Sequence, residues 1–169
     1  NCLGPLLNPL EVRNQLVGVY SSELVMTLAK VLQSLGAERA LVVHGSDGLD
    51  ELTTTGTSRM GWLSNGAIEE MTVDPVALGI ARARPEDLAG GDAQANAETL
   101  TSIFEGADGP RTDIVLLNAA AALWVAGSAG DLAEGLMQAR QSIANGAARR
   151  ALAQLVDATQ QAGATLDNS

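Results

Sequence analysis

The hydrophobic positions change their period several times along the chain. Gln15 to Tyr20 (QLVGVY) is a short run of apolar and β-branched residues, which predicts a strand buried on both faces. From Leu24 the period lengthens: Leu24, Val25, Leu28, Val31, Leu32 and Leu35 fall on one helical face. Ser21 or Ser22 is placed to cap that helix, Glu23 suits its positive end, and Gly36 fits a left-handed stop. Ala40 to Val43 (ALVV) reads as a second buried strand. Strand, helix and strand within roughly thirty residues make a βαβ unit, with parallel strands and a right-handed crossover.

The next stretch changes character. His44 to Thr55 (HGSDGLDELTTT) is a Gly- and Asp-rich loop at the C-terminal end of the second strand, the edge at which open α/β sheets bind ligands. Arg59–Ser64 and Ala67–Val73 flank Asn65-Gly66, a strong short-range signal for a β-hairpin. Residues 74–91 carry Pro75, Pro85, Gly79, Gly90 and Gly91 and predict loop with a helical turn or two. Asp92 is an N-cap candidate for a helix over Ala93–Glu105. Asp113–Leu117 (DIVLL) reads as a third strand of parallel type. Asn118 then caps a very apolar helix, Ala119–Ala126, expected to be buried all round. Two further helices, Asp131–Ala144 and Ala147–Gln161, are divided at Asn145-Gly146.

Composition fits this pattern and narrows the chemistry. With 169 residues, 46% hydrophobic and 18% charged, the chain has the makings of one packed domain. The expected layout is an α/β unit over residues 1–161, with a mostly parallel sheet flanked by helices, and a polar tail over 162–169. Four aromatic residues leave the core to Leu, Val, Ile and Ala. Twenty acidic against ten basic residues give a formal net charge of −10, which disfavours nucleic acid and anionic membrane surfaces as partners. No apolar run is long enough to span a bilayer, and a cytoplasmic location is expected.

One cysteine, Cys2, and one histidine, His44, exclude a Cys/His zinc cluster. The single lysine, Lys30, sits mid-helix, away from any phosphate loop. His44, at the ligand-binding edge, reads as a hydrogen-bonded structural histidine rather than an acid/base. Gly90-Gly91-Asp92 resembles a phosphate cradle, but an Asp at a helix N-terminus repels phosphate, so a tight turn with an Asp cap is favoured. Asp50-Glu51 is the main chemical feature. Two carboxylates in a Gly-rich loop offer hard oxygen ligands to a divalent cation, although adjacency alone also fits a solvated loop. Neighbouring side chains on a regular strand diverge, so a shared cation needs a bent backbone, which Gly48 permits.

Five segments occur in order: Leu3-Gly4-Pro5-Leu6-Leu7-Asn8-Pro9; Gln15-Leu16-Val17-Gly18-Val19; Ala40 through Glu51 (ALVVHGSDGLDE); Gly90-Gly91-Asp92-Ala93 with Asn96-Ala97; and Leu116 through Leu123 (LLNAAAAL) with Val125-Ala126-Gly127. Together they resemble the anthranilate phosphoribosyltransferase family, over nearly the whole chain to about Ala158. Leu7 departs from the family's common Thr.

The resemblance implies part of the larger α/β domain of an enzyme that transfers phosphoribose from phosphoribosyl pyrophosphate to the amino group of anthranilate, in tryptophan biosynthesis. It implies Mg2+ as cofactor, held by Asp50 and Glu51, and places Pro5 near the anthranilate tunnel. It also implies a homodimer for the intact enzyme. The family's Gly-Thr-Gly-Gly-Asp and Lys-His-Gly-Asn segments and its anthranilate-receiving arginine stretch do not occur in this sequence. The expectation is therefore a C-terminal portion without the helical domain, carrying no catalytic residue of its own and inactive alone. A pyrimidine nucleoside phosphorylase-like enzyme, which shares the architecture, and a non-catalytic interaction module are the alternatives; the Asp-Glu pair argues against the former.

Overall fold

The computed structural model describes residues 4–7 and 12–166, with side chains described for Leu6 and within residues 12–161. Gly4–Leu7 forms a 3-10 turn, and the first strand, β1, spans Asn14–Gly18. Helix α1 (Leu24–Ser34) leads to β2 (Arg39–Gly45), which pairs with β1 in parallel, Val17 opposite Val42. The βαβ reading therefore holds. Gly36 takes φ +87°, the left-handed stop the sequence suggests. The cap of α1 differs from expectation. Its N-cap residue is Glu23, with no side-chain cap, and the Ser22 hydroxyl instead accepts Arg59 Nη1 at 3.0 Å.

β3 (Ser58–Ser64) and β4 (Ala67–Val73) form the expected hairpin. Asn65 at φ 52° and Gly66 at φ 75° supply the two left-handed residues that such a two-residue turn requires. β3 also pairs antiparallel with β2, so the sheet runs β1-β2-β3-β4. This corrects the expectation of a mostly parallel sheet: one pairing is parallel and two are antiparallel among the described residues. Two 3-10 turns, Pro75–Leu78 and Pro85–Leu88, follow, then α2 (Ala93–Phe104), capped by the Asp92 carboxylate at the Ala95 N–H.

The largest correction concerns 113–117. These residues are not a strand but the second turn onward of α3 (Pro110–Ala126). Pro110 at the helix start and Gly127 at φ 80° past its end are the usual brackets of one continuous helix. Asn118 is therefore mid-helix rather than a cap. Nor is the 119–126 stretch buried all round, because Ala122 and Ala126 are exposed. α4 (Leu132–Ala144), capped by Asp131, and α5 (Ala147–Leu166) complete the fold. α5 carries the chain as helix through residues 162–166 of the expected tail, and 167–169 lie outside the described residues.

The strand period separates two cores. Ala40 and Val42 face α1, joining Val17, Val25, Leu28 and Leu32. Leu41 and Val43 face the opposite side, where Leu117, Ala120, Trp124 and Leu136 cover them. Arg39 ties the C-terminal end of α3 to the sheet: its guanidinium donates to the carbonyls of Trp124 and Val125. It also lies 5.1 Å over the Trp62 ring, which stacks on Trp124 at 4.2 Å. A cation at a helix C-terminus complements its dipole, and the stacked ring adds to the attraction.

α3 and α4 approach closely at Gly135. A Cβ there would meet the Ala120 carbonyl oxygen at 2.5 Å. Gly135→Ala gains about 1 kcal/mol in helix propensity, but overpacking against rigid backbone costs about 1–3 kcal/mol. The steric effect wins, so the melting temperature is expected to fall by roughly 2–4 °C in a thermal scan. A rise would show that the two helices can separate freely.

Candidate functional site

The site is built at the C-terminal edge of β1 and β2. Beyond Gly18 the parallel pairing continues for one residue, with the Val19 N–H donating to the Val43 carbonyl at 2.9 Å. His44 lies 2.8 Å from the Val19 carbonyl through Nδ1, so that nitrogen carries the proton. This matches the structural reading of His44: its ring ties the ends of the two strands together.

From Gly45 the chain turns sharply. The Gly45 N–H donates to the Leu49 carbonyl and the Gly48 N–H to the Gly45 carbonyl, both at 2.9 Å. Gly48 takes φ +96°, a left-handed conformation that bends the chain just ahead of the acidic pair. Asp47 closes the loop from inside. Its carboxylate accepts the Thr53 hydroxyl at 2.5 Å, the Thr55 hydroxyl at 2.6 Å and the Leu49 N–H at 3.2 Å. Burial alone would raise the Asp47 carboxyl, but the Thr53 and Thr55 hydroxyls and the backbone N–H groups outweigh it and hold it below the usual range. Sequence reasoning passed over Asp47 as a structural residue, although the Asp-x5-Thr-x-Thr spacing brings both hydroxyls within its reach.

Asp50 and Glu51 stand exposed at the tip of this loop. Their backbone is held on both sides. The Asp50 carbonyl rests against Gly18 so closely that a Cβ on residue 18 would lie 1.6 Å from its oxygen. Leu52, fully buried, anchors the other end: its N–H donates to Asn118 Oδ1 at 3.0 Å and its carbonyl accepts Asn118 Nδ2 at 2.8 Å. The Thr53 N–H donates to the buried Ser58 hydroxyl at 2.9 Å, fixing the loop's return to β3. Neither Gly18 nor Asn118 was singled out as part of a site from the sequence. A glycine inside a predicted strand run, a mark of close backbone approach, was the available signal for the first. The second has no local signal, because its partner lies 66 residues away.

Among the described residues no group of three or more His, Cys, Asp or Glu side chains is placed to hold a metal. A pair of exposed carboxylates fits a cation whose remaining ligands are water and substrate phosphates, the usual manner of Mg2+. The other features singled out in the sequence do not join this site. At Gly90-Gly91-Asp92 the Gly91 N–H is taken by Asn96 Oδ1 at 2.9 Å and Asp92 caps α2, which fits the tight-turn reading. Pro5 lies in the first 3-10 turn, but its side chain, like the whole of Cys2, lies outside the described residues. A hollow of about 850 Å³ opens between α3, α4 and α5, lined by Leu116, Leu123, Met137 and Ile143, with no residue of the acidic loop in its wall.

An acidic loop at the C-terminal edge of a βαβ unit, with helices on both faces of the sheet, is the ligand-binding edge of an α/β domain. Residues 1–149 match the family described as glycosyl transferase family, a/b domain, and the chain belongs to that family. In particular, it is similar to anthranilate phosphoribosyltransferases. It is 55% identical to that of Azospirillum brasilense over 159 residues, covering 94% of this chain and 45% of the relative. It is 52% identical to that of Methylobacterium nodulans over 156 residues, covering 92% and 46%. The fold matches the crystal structure of anthranilate phosphoribosyltransferase from Thermus thermophilus with a TM-score of 0.83 at 37% identity, covering 92% of this chain and 46% of that one. It also matches the Saccharomyces cerevisiae enzyme in complex with PRPP and Mg, with a TM-score of 0.83 at 27% identity, covering 94% and 46%. The chain thus spans about half the length of the curated relatives it matches.

Proposed function

We propose that this chain forms the acidic-loop part of an anthranilate phosphoribosyltransferase, which moves phosphoribose from phosphoribosyl pyrophosphate to the amino group of anthranilate in tryptophan biosynthesis. The observation that carries the reading is 55% identity over 94% of the chain to a relative of that name. The exposed Asp50-Glu51 pair at the ligand-binding edge supports it.

Asp50 and Glu51 are the residues that would hold Mg2+. When bound, Mg2+ neutralises the charge that develops on the departing pyrophosphate. The remaining work of this chain is positional. Gly18, Asp47 and Asn118 fix the loop backbone, so the two carboxylates would be held in place for the cation without reorganising. A chain of net charge −10 repels a polyphosphate unless cations intervene, and the acidic pair turns that repulsion into cation capture. Pro5 is assigned to the anthranilate side by resemblance alone. Cradling the phosphates and orienting the amine fall to family segments not contained in these 169 residues. A cytoplasmic, homodimeric enzyme without nucleic-acid or membrane partners completes the proposal; among the described residues no helix is long and apolar enough to cross a membrane.

The test is a chimaeric enzyme in which these 169 residues replace the matching segment of the Azospirillum brasilense relative. With Mg2+ and phosphoribosyl pyrophosphate it is expected to consume anthranilate, followed by the loss of anthranilate fluorescence, at about 1–10 per second. The 169 residues alone are expected to show no turnover. A folded chimaera without activity would reject the assignment.

A further inference from the structure

The side-chain amide of Asn118 makes an arrangement that helix packing does not require. It projects from the middle of α3 to Leu52 and matches both polar groups of that residue, N–H to Oδ1 at 3.0 Å and carbonyl to Nδ2 at 2.8 Å. The other Nδ2 hydrogen goes to the Ile114 carbonyl, one turn back along α3, at 3.0 Å. The amide therefore has its two donors and its acceptor engaged, and its orientation is fixed. It acts like one rung of a β-ladder supplied by a helix.

The residue it grips is the one directly after Glu51. On the other side, the Asp50 carbonyl is seated against Gly18, where no side chain is possible. The two exposed carboxylates thus sit on a two-residue span with both ends of its backbone held, one end by β1 and the other by α3. Carboxylates on adjacent residues diverge on a regular backbone, so the pair converges on one cation only if the bend between them is maintained. If the backbone had to be ordered at the moment of binding, cation affinity would fall by that ordering entropy.

We infer that Asn118 is a positioning residue for cation binding: from α3 it holds the backbone that presents Asp50 and Glu51, and so sets the affinity of the pair without touching the cation. The inference rests on the proposed role of Asp50 and Glu51 as cation ligands. A purely structural Asn118 would affect stability and leave cation affinity unchanged.

Mn2+ titrated into the 169-residue chain, with free Mn2+ read by electron paramagnetic resonance, separates these cases. Asn118→Leu keeps the size of the side chain and removes both contacts to Leu52. It is expected to weaken Mn2+ binding at the pair by about tenfold or more, as expected when a preorganised site must be ordered on binding. Asn118→Ser, which lacks the reach but adds no bulk, is expected to behave alike and serves if the leucine variant does not fold. Leu136→Ala, in the core on the same sheet face but remote from the loop, is expected to lose stability and to leave Mn2+ binding unchanged. If the Asn118 variants lose only stability, as Leu136→Ala does, the positioning role is overturned. If the unaltered chain binds Mn2+ no more tightly than Asp50→Asn with Glu51→Gln, the ligand assignment itself fails and this inference fails with it.

Discussion

Asp50→Asn combined with Glu51→Gln is expected to lower turnover of the chimaeric enzyme by about 100-fold or more while leaving the fold intact. Both parts of the expectation follow from the geometry. The carboxylates are exposed, and the contacts that shape the loop run through the Asp50 carbonyl and the Leu52 amide rather than through the two acidic side chains. The amides keep the size of the side chains and remove the charge that a hard cation needs. A loss of 100-fold corresponds to about 2.7 kcal/mol of transition-state stabilisation, within the range a catalytic cation supplies. Removing two negative charges from a chain at −10 relieves self-repulsion, so the melting temperature should stay level or rise slightly. Steady-state kinetics across a Mg2+ titration, with a thermal scan beside it, checks both. Unchanged kinetics would remove the pair from the mechanism.

Gly18→Ala is expected to be the most damaging single change near the site. The added Cβ would lie 1.6 Å from the Asp50 carbonyl oxygen and 2.6 Å from its carbon. These are backbone atoms, and the loop that carries them is pinned at Asp47, Leu52 and Thr53, so it cannot withdraw alone. Either β1 separates from β2 or the acidic loop detaches. Overpacking of this kind costs about 3 kcal/mol, which corresponds to roughly 6–12 °C in the melting temperature of a domain this size. Cation binding should fall with it, because the bend presenting Asp50 and Glu51 is displaced. A variant that melts like the parent and binds Mn2+ normally would show that the close approach is not maintained in solution.

The helix and turn punctuation of this chain is largely local, and it was legible for that reason. Asn65-Gly66 specifies its own hairpin because both residues tolerate positive φ. Asp92 caps the helix that follows it through a contact only three residues long. The unbroken apolar run Ala40, Leu41, Val42 and Val43 already encodes a strand buried on both faces. The acidic pair and its place at the strand edge could also be read, because a strand end followed by a Gly-rich loop is a sequence-adjacent feature.

What escaped a linear reading was decided by contacts between distant segments. Asp113–Leu117 is a short apolar run that fits a buried strand and a buried helix equally well. It becomes helix because it continues without a break from Pro110 to Ala126 and lies on the sheet face made by Leu41 and Val43. The β2–β3 pairing, which makes the sheet mixed, depends on a loop that returns antiparallel after Asp47, Thr53 and Ser58 have closed it. Gly18 and Asn118 define the shape of the acidic loop from far along the chain in either direction, through a missing Cβ and an amide whose partner no local pattern announces. The sequence by itself determined most of the elements, the acidic pair and the family resemblance, since each rests on residues near one another in the chain. Only the tertiary structure decided the order of the sheet, the helix through 113–117 and the fixed bend beneath Asp50 and Glu51, since each depends on which backbone groups find partners across the fold.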